Sequence, residues 1–460
     1  MTWTRKQLSI LSIVATTSFM GTFLISSINI ALPAIEESFG LDAVTLSWVV
    51  TAFLLTMAIM LLPVGRWGDL TGIKRLFKGG VVIFTLASLL CALSPSGTWL
   101  ILFRLLQGTG AALTSTTGPA ILVTTFPPKQ KGRVLGISVS AVYLGLAFGP
   151  FFGGFLTQYL GWRSIFFVAM ILGVVVSVIT FLYLGRDEKK EHIANQGMGL
   201  GGLVFYIIGL TAMVYGSSVI PDLKGWILIG TGLISLIVFW QVESKSSRPV
   251  INTRLFTQNR LFAYSNIAAL INYSATFAIV FLLSLYLQKI LNLSPREAGM
   301  ILVAQPVMMA IFSPFAGRLS DRIQPRYLAT IGMTMCTAGL AAFAYLGPET
   351  PVWVVVALLI WVGLGFAFFS SPNMNTIMSS VDRSRYGVAS GTAATMRVVG
   401  QIASMTIATF FFALLFGGKT VEMVESTIFL KAMRYGFITF SVIAIAGIYF
   451  SYYRGSIQRE

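Results

Sequence analysis

Long apolar runs recur along the whole chain, and short polar segments separate them. A bilayer core about 30 Å thick takes about 20 helical residues, and backbone groups in lipid must bond to each other, so each run predicts a membrane-spanning helix. Fourteen runs are long enough to span, which predicts an all-α polytopic membrane protein. Their predicted limits are 8–32, 45–65, 76–94, 98–122, 134–157, 163–185, 198–219, 225–241, 261–287, 297–317, 327–346, 352–378, 389–416 and 429–453.

Composition agrees with a lipid environment. Apolar residues make up 56% of the chain and charged residues 10%, whereas soluble domains carry about 25% charge. The first run follows Arg5 and Lys6 and is longer than the core of a cleavable signal peptide. We therefore expect it to be retained as the first spanning helix.

The formal net charge of +16 does not indicate a nucleic-acid partner. Most of the 32 Lys and Arg residues fall in short loops on alternate connections between the apolar runs. Basic residues near helix ends resist translocation, so these loops are predicted to be cytoplasmic. The distribution places both termini in the cytoplasm, which requires an even number of spans.

Two segments of the chain look like copies of each other: GRWGDLTGIKR at 65–75 and GRLSDRIQPR at 317–326. Repeated helical bundles are a common construction of secondary transporters. The polar stretch RDEKKEHIANQG at 186–197 separates the copies. We predict an N-terminal six-helix bundle at 1–185, a loop with two additional helices at 186–257 and a C-terminal six-helix bundle at 258–460.

The first copy resembles the signature between helices 2 and 3 of the major facilitator superfamily, where it acts as a conformational latch. Glycines permit a tight turn and the carboxylate can bond backbone N–H groups and Arg. The run RLLQGTGAA, beginning at Arg104, resembles the family's helix 4 pattern. The resemblance implies a latch at Gly65, Asp69, Gly72, Lys74 and Arg75, with Gly317, Asp321 and Arg322 in the second copy.

The fifth run contains GLAFGPFFGG, which resembles the helix 5 motif of the family's exporters. Its small residues allow close helix packing and its proline loosens the backbone ladder, so a packing seam alone is an alternative interpretation. With the additional helix pair, the motif is similar to the fourteen-helix drug and proton antiporter branch. The motif residues are Gly145, Gly149, Pro150, Gly153 and Gly154.

One feature of that branch is missing from the chain. The branch usually carries an acidic residue in helix 1, and Leu24 stands at that position. No Asp or Glu lies deep in a predicted span, and Glu36, Glu37 and Glu297 fall at helix ends, where charges are usually solvated. The two charges that lie deep inside predicted spans are Arg104 and Arg397, and we expect one or both to meet an anionic group of the substrate.

Polar residues inside the spans are candidates for the lining of a central cavity, with interhelical hydrogen bonding as the alternative. The predicted substrate-binding or cavity residues are Arg104, Arg397, Asn29, Thr114, Tyr143, Asn272, Tyr273, Gln305, Asn373 and Gln401. No constellation of residues indicates catalysis, a cofactor or a metal site. Cys91 and Cys336 are expected to pack as small apolar residues.

Together these features predict a multi-pass transporter of the prokaryotic cytoplasmic membrane that works as a monomer. The leading hypothesis is export of lipophilic or amphiphilic small molecules by alternating access, with protons as a candidate counter-ion. The first alternative is transport of a lipid or anionic metabolite driven by membrane potential or by the substrate gradient. The second, from another class, is a membrane sensor or scaffold that does not transport.

Overall fold

The computed structural model describes residues 3–127, 130–185, 187, 200–246, 253–320, 322–382 and 386–456. Within these ranges, the side chains of residues 66, 69–70, 131–133 and 386–387 are not described.

The described chain is helical from end to end. It forms seventeen α-helices and a π-helical turn at Tyr286–Ile290. In chain order the α-helices are α1 (Arg5–Phe39), α2 (Ala43–Thr71), α3 (Ile73–Ala92), α4 (Gly97–Thr125), α5 (Lys131–Leu160), α6 (Arg163–Tyr183), α7 (Leu200–Ser218), α8 (Leu223–Lys245), α9 (Thr253–Gln258), α10 (Arg260–Thr276), α11 (Ala278–Leu285), α12 (Pro295–Leu302), α13 (Ala304–Ser320), α14 (Pro325–Phe343), α15 (Val352–Ser379), α16 (Tyr386–Phe416) and α17 (Ser426–Tyr453).

Twelve segments of the described residues are long and apolar enough to cross a membrane, so the chain is a multi-pass membrane protein. Two of them are broken spans, because α10, α11 and the π-turn form the span Arg260–Ile290, and α12 and α13 form Pro295–Ser320. Helices α4 and α14, of 29 and 19 residues, are long enough to span but less apolar. Two of the fourteen predicted spans, α4 and α14, are therefore supported by their length but not by their apolar character.

Both broken spans have an identifiable cause. The Ala278 backbone N–H donates to the Ser404 hydroxyl at 3.0 Å, so α10 and α11 are separate at Phe277. Pro306 has no N–H to give to the preceding turn, and α12 ends at Leu302. These interruptions are tolerated because neighbouring helices supply partners for the freed backbone groups.

The first helix is longer than its predicted limits of 8–32. It continues through Pro33 to Phe39, where Gly40 ends it in the left-handed conformation with φ 61°. The proline does not end the helix, because the Ser284 hydroxyl donates to the Asn29 carbonyl, the one that Pro33 leaves without its helical partner. The prediction that this helix ends at Leu32 was therefore wrong, and Glu36 belongs to the helix.

Helices α1–α6 pack together and are here called the first bundle; helices α9–α17 are called the second bundle. In the first bundle α1 runs parallel to α5. Ser18 contacts Ser138, and the hydroxyl of Thr22 donates to the Val142 carbonyl, both at a sequence separation of 120. Helix α3 packs against α4 and α6, while α14 packs against α15 and α17 in the second bundle. The predicted domain limits stay predictions.

Helices α7 and α8 pack against each other, and α7 contacts both α2 and α16. The Tyr206 hydroxyl donates to the Ala58 carbonyl at 3.2 Å, and the Trp48 indole N–H donates to the Ser218 hydroxyl at 2.9 Å. Helix α7 therefore lies against one helix from each bundle, and α8 also contacts α9 of the second bundle.

Candidate functional site

A cavity of about 80 Å³ lies in the second bundle between α10, α15 and α16. Three of the predicted lining residues, Tyr273, Asn373 and Arg397, lie in its wall. Ser370 also lines it, and the hydroxyl of Tyr143 from α5 lies 3.3 Å from the Ser370 hydroxyl. The cavity is thus the place where a polar side chain of the first bundle reaches polar side chains of the second.

Arg397 is a half-buried side chain in the wall of this cavity. It lies eleven residues after the start of α16, so at 1.5 Å per residue it is about 17 Å along the helix and near the middle of a bilayer core about 30 Å thick. Its guanidinium makes no hydrogen bond or ion pair with any residue that the structure describes. The charge is available to the cavity.

Arg104 has a different environment, fully buried inside the first bundle. Its Nε donates to the Val49 carbonyl at 2.9 Å, and one terminal nitrogen donates to Gln107 Oε1 at 2.5 Å. The guanidinium also lies 4.4 Å from the centre of the Phe53 ring, in a cation–π contact. Arg104 joins α2 to α4 and does not reach the cavity, whereas Arg397 lies in its wall. That either arginine contacts an anion stays a prediction.

Two other predicted lining residues lie inside single bundles. Thr114 donates to backbone carbonyls of its own helix and faces Gly80 of α3. Asn272 is completely buried and its amide donates to the Met333 sulfur at 3.5 Å. Both side chains hold helices of one bundle together in this conformation.

Asn29, Gln305 and Gln401 also lie away from the cavity. Asn29 is 2% exposed, and its amide donates to the Ile25 carbonyl of the same helix. Gln305 is buried in α13 with its carbonyl oxygen unpartnered. Gln401 lies half-buried on α16, one turn after Arg397. The predicted set is therefore divided between the cavity and the bundle interiors.

The two bundles meet closely at one face of the molecule, the face at which α1 ends and α2 begins. We call it the distal face, and the sequence predicts that it lies outside the cytoplasm. At this face the Ser284 hydroxyl donates to the Asn29 carbonyl at 2.6 Å, and Thr409 donates to Ser47 at 2.8 Å. Among the described residues, the hydrogen bonds between bundles gather here, apart from the contact of Tyr143 with Ser370.

The glycines of the helix 5 motif form part of this closed face. A Cβ atom on Gly154 would lie 2.4 Å from the Pro295 carbonyl oxygen, and one on Gly299 would lie 2.2 Å from the Pro150 carbonyl oxygen. Both distances are too short for real Cβ atoms. The backbones of α5 and α12 can therefore touch only because glycine, which has no side chain, stands at both positions. The motif is therefore a packing seam between bundles.

The other motif glycines pack α5 against α1. Cβ atoms at Gly145, Gly149 and Gly153 would each approach α1 atoms within 3.0 Å. One helix thus presents small residues to two partners, one in each bundle.

Glu36 was expected to be solvated at a helix end, and that expectation was wrong. Its side chain is 5% exposed, and its carboxylate accepts the backbone N–H of Glu422 at 3.0 Å. From the second bundle, the Lys289 ammonium donates to carbonyls of the same loop, those of Val421, Glu422 at 2.8 Å and Val424 at 2.7 Å. We call Glu36, Lys289 and loop 417–425 the distal clasp.

The other carboxylates considered at helix ends face solvent. Glu37 is exposed, and Glu297 is an exposed capping residue whose carboxylate accepts the Ser294 N–H at 2.9 Å. Leu24, at the position of the missing acid, is completely buried.

The latch segments are partly described. The Asp69 side chain and Asp321 lie outside the described residues. Gly72 has φ 100°, a conformation that side chains disfavour. The Asp187 carboxylate accepts the backbone N–H groups of Lys74 and Arg75, each at 3.0 Å. It thus caps the start of α3, where a negative charge is favoured by the helix dipole.

In the second copy, Gly317 faces Ser371 of α15, since a Cβ there would lie 2.7 Å from the Ser371 hydroxyl oxygen. The Arg322 backbone N–H donates to the Leu319 carbonyl at 3.0 Å. In the first copy, a Cβ on Gly65 would only touch Thr116 at 3.9 Å.

Arg454 directly follows the last residue of α17, and its side chain is 1% exposed. One terminal nitrogen donates to Asn373 Oδ1 at 2.6 Å, and the other donates to the Pro325 carbonyl at 2.8 Å. Burial lowers the pKa of Arg454 to about 9, so the group is still charged at neutral pH. It ties the end of α17 to α14 and α15, and it occupies the Asn373 carbonyl oxygen.

Sequence reasoning missed Ser370, Lys289, Asp187 and Arg454. Serines in an apolar run, such as Ser370 beside Ser371, and charges near helix ends are common in membrane proteins. Their roles here come from partners far along the chain, such as the separation of 227 residues between Ser370 and Tyr143.

Comparison with known proteins finds relatives that are named as transporters or as resistance proteins. The chain is 32% identical over 410 residues to the riboflavin transporter RibZ of Clostridioides difficile (strain 630), covering 88% of each chain. It is 31% identical over 381 residues to the multidrug resistance protein Stp of Mycobacterium tuberculosis (strain ATCC 25618 / H37Rv), covering 81% of this chain and 70% of Stp. It is also 30% identical over 361 residues to the methyl viologen resistance protein SmvA of Salmonella typhimurium (strain 14028s / SGSC 2262), covering 77% of this chain and 72% of SmvA.

Solved structures show the same fold. A bacterial homologue of the human lysosomal transporter Spinster, in an inward-facing and unoccupied conformation, matches with a TM-score of 0.69 at 16% identity over 98% of each chain. The Major Facilitator Superfamily model matches residues 11–405 and 266–456. With its helical bundles, its helix 5 seam and these relatives, the chain belongs to the Major Facilitator Superfamily and is a membrane transporter, not an enzyme.

Proposed function

We propose that the protein is a secondary active exporter of lipophilic or amphiphilic small molecules that works by alternating access. The proposal includes fourteen spanning helices arranged as 6+2+6, with both termini cytoplasmic and a functional monomer. Its two moving units are the first and second bundles, and α7 and α8 are the additional pair.

The observation that carries the proposal is the seam between α5 and α12. Two backbones in direct contact through Gly154 and Gly299 make a close junction between bundles at the distal face. No flexible side chain at this contact can change its rotamer to accommodate a partial opening. The two bundles are therefore either in contact here or separated. A junction of this kind suits two rigid bundles that rock around a central site.

The composition of the cavity favours an amphiphilic substrate. Its wall combines Arg397 and the hydroxyls of Tyr273 and Ser370 with apolar side chains such as Phe369, Met374 and Ile377. Pockets for small molecules are mostly apolar with a few placed polar groups. The names of Stp and SmvA refer to resistance to drugs and to methyl viologen, which supports export as the direction.

A second candidate function is transport of an anionic metabolite driven by the membrane potential. Buried Leu24 replaces the acid expected in a proton antiporter, and the charge at the cavity is the cation Arg397. With an inside-negative potential, an outgoing unit negative charge gains about 2.3 kcal/mol per 100 mV and needs no proton. The relative RibZ is named for a riboflavin substrate, not for drug resistance.

The test uses everted membrane vesicles from cells that produce the full chain. For an exporter, energised vesicles accumulate a fluorescent amphiphile, whereas vesicles with the Gly299→Ala variant do not. Gly136→Ala is the matched control, because a Cβ at Gly136 of α5 meets open space. Vesicles that accumulate nothing with the unaltered chain would support the non-transporting sensor or scaffold and overturn the proposal.

A further inference from the structure

Arg397 has no compensating charge among the residues that the structure describes. A cation at the centre of a spanning helix costs about 2.5–3.5 kcal/mol on insertion scales, so such charges pair with other groups or face water. Arg104 and Arg454 each donate to carbonyl or amide oxygens, but Arg397 has no hydrogen-bonding partner among the described residues. Its partner in function must therefore come from the cavity.

The polar groups around Arg397 are hydrogen-bond donors. The hydroxyls of Tyr273 and Ser370 face each other, and Arg397 is close enough to act electrostatically on Tyr273. Both polar atoms of the Asn373 amide already have partners. The nitrogen donates to the Ser265 carbonyl at 3.0 Å, and the oxygen accepts from Arg454. No Asp or Glu lies in the described wall of the cavity.

We propose that Arg397, with the hydroxyls of Tyr273 and Ser370, forms the subsite for the oxyanion head of an amphiphilic substrate. This inference rests on the proposed transport function and names the substrate class. A guanidinium and hydroxyl groups bind carboxylate, phosphate or sulfonate oxygens through charge-assisted hydrogen bonds. A volume of about 80 Å³ holds a head group of this size, and Phe369, Met374 and Ile377 of the same wall contact the carbon atoms next to it.

The subsite also connects the anion to the first bundle. An oxyanion held by Arg397 accepts the Ser370 O–H, which leaves the Ser370 oxygen free to accept from the Tyr143 hydroxyl 3.3 Å away. The bound anion, Ser370 and Tyr143 then form one chain of hydrogen bonds across the two bundles. Substrate occupancy thereby favours closure of the bundles around the cavity.

The experiment measures binding to the full chain in lipid nanodiscs with three probes of equal chain length. Decanoate carries an anionic head, methyl decanoate a neutral one and decyltrimethylammonium a cationic one. We expect decanoate to bind at least about tenfold more tightly than the other two, the usual gain from a charge-assisted hydrogen bond. Arg397→Gln should remove this preference, and Arg397→Lys should retain most of it.

Arg434→Gln is the matched control, because Arg434 is exposed on α17 and does not line the cavity, so its loss removes the same charge outside the subsite. Ser370→Ala, a smaller change, should weaken decanoate binding and leave methyl decanoate unaffected. Equal binding of the three probes, absent decanoate binding, or a preference that survives Arg397→Gln would overturn the subsite. Export of a neutral amphiphile that continues in Arg397→Gln vesicles would show that the transport function stands independently of the subsite.

Discussion

Replacement of Gly299 by alanine should open the distal face. In the structure, a Cβ at this position would lie 2.2 Å from the Pro150 carbonyl oxygen and 3.4 Å from the Gly154 Cα atom. Ordinary contact begins at 3.4 Å, so the two backbones must separate by about 1.2 Å. Because both contacting atoms belong to helix backbones, a rotamer change cannot relieve the clash.

The size of the effect follows from the cost of overpacking. An added methyl group in a close-packed contact costs about 1–3 kcal/mol. The bundles can avoid this cost by separating at the distal face, since the clash exists only while α5 and α12 touch. An energy of that size changes the ratio of distal-open to distal-closed molecules by about 5- to 150-fold.

Spin labels on both sides of the distal face measure this ratio. Leu160 at the end of α5 is 67% exposed and Met423 in loop 417–425 is 75% exposed, so cysteines at these sites accept labels in the folded protein. The native Cys91 and Cys336 are buried and do not compete. Pulsed electron paramagnetic resonance should show a longer distance population in Gly299→Ala.

Gly136→Ala, in the same helix as Pro150, should leave the distances unchanged, because its Cβ meets no atom within 4 Å. Gly154→Ala should repeat the effect of Gly299→Ala, since it creates the same clash from the other side of the seam. An unchanged distance distribution in both seam variants would refute the reasoning that these glycines permit closure.

Three other changes test separate parts of the structure. Arg104→Gln should destabilise the protein by about 1–3 kcal/mol, because buried Gln107 Oε1 loses the donor that Arg104 supplies. Thermal unfolding should show this loss while the preference for decanoate persists. A lost preference would mean that Arg104 serves the substrate. Glu36→Gln should weaken the distal clasp and lengthen the distance between the Leu160 and Met423 labels, and an unaltered distance would exclude a role of that carboxylate in closure. Asp187→Asn should lower stability by about 0.3–1 kcal/mol through the weaker cap on α3, and a variant as stable as the parent in thermal unfolding would count against the cap.

The sequence was sufficient to predict an all-helical membrane fold, because lipid permits few structures; the count of fourteen spans and the side of the termini stay predictions. Apolar runs of spanning length must be helices, and loop charges indicate orientation. The limits of some helices were less predictable. Pro33 does not end α1, and α10 is interrupted at Phe277 because Ser404, far along the chain, accepts the Ala278 N–H. Such interruptions depend on tertiary partners.

The candidate site was predictable only in its chemistry. The sequence indicates two unpaired arginines in spans, but it does not distinguish Arg397, which lies in the cavity wall, from Arg104, which donates to Val49 and Gln107 inside the first bundle. Glu36 looked like a solvated helix end because its burial is produced by the loop before α17. The same polar residue types occur in spans whether they line a cavity or join two helices, so only the packing of the helices distinguishes these roles.

Transport by the purified full chain in proteoliposomes tests the central claim most directly. A fluorescent amphiphile is followed while a pH gradient and a membrane potential are imposed separately. Alternating-access export predicts accumulation driven by at least one gradient, abolished by Gly299→Ala and retained in Gly136→Ala. The absence of driven accumulation under both gradients, in protein that folds and inserts normally, would contradict the account.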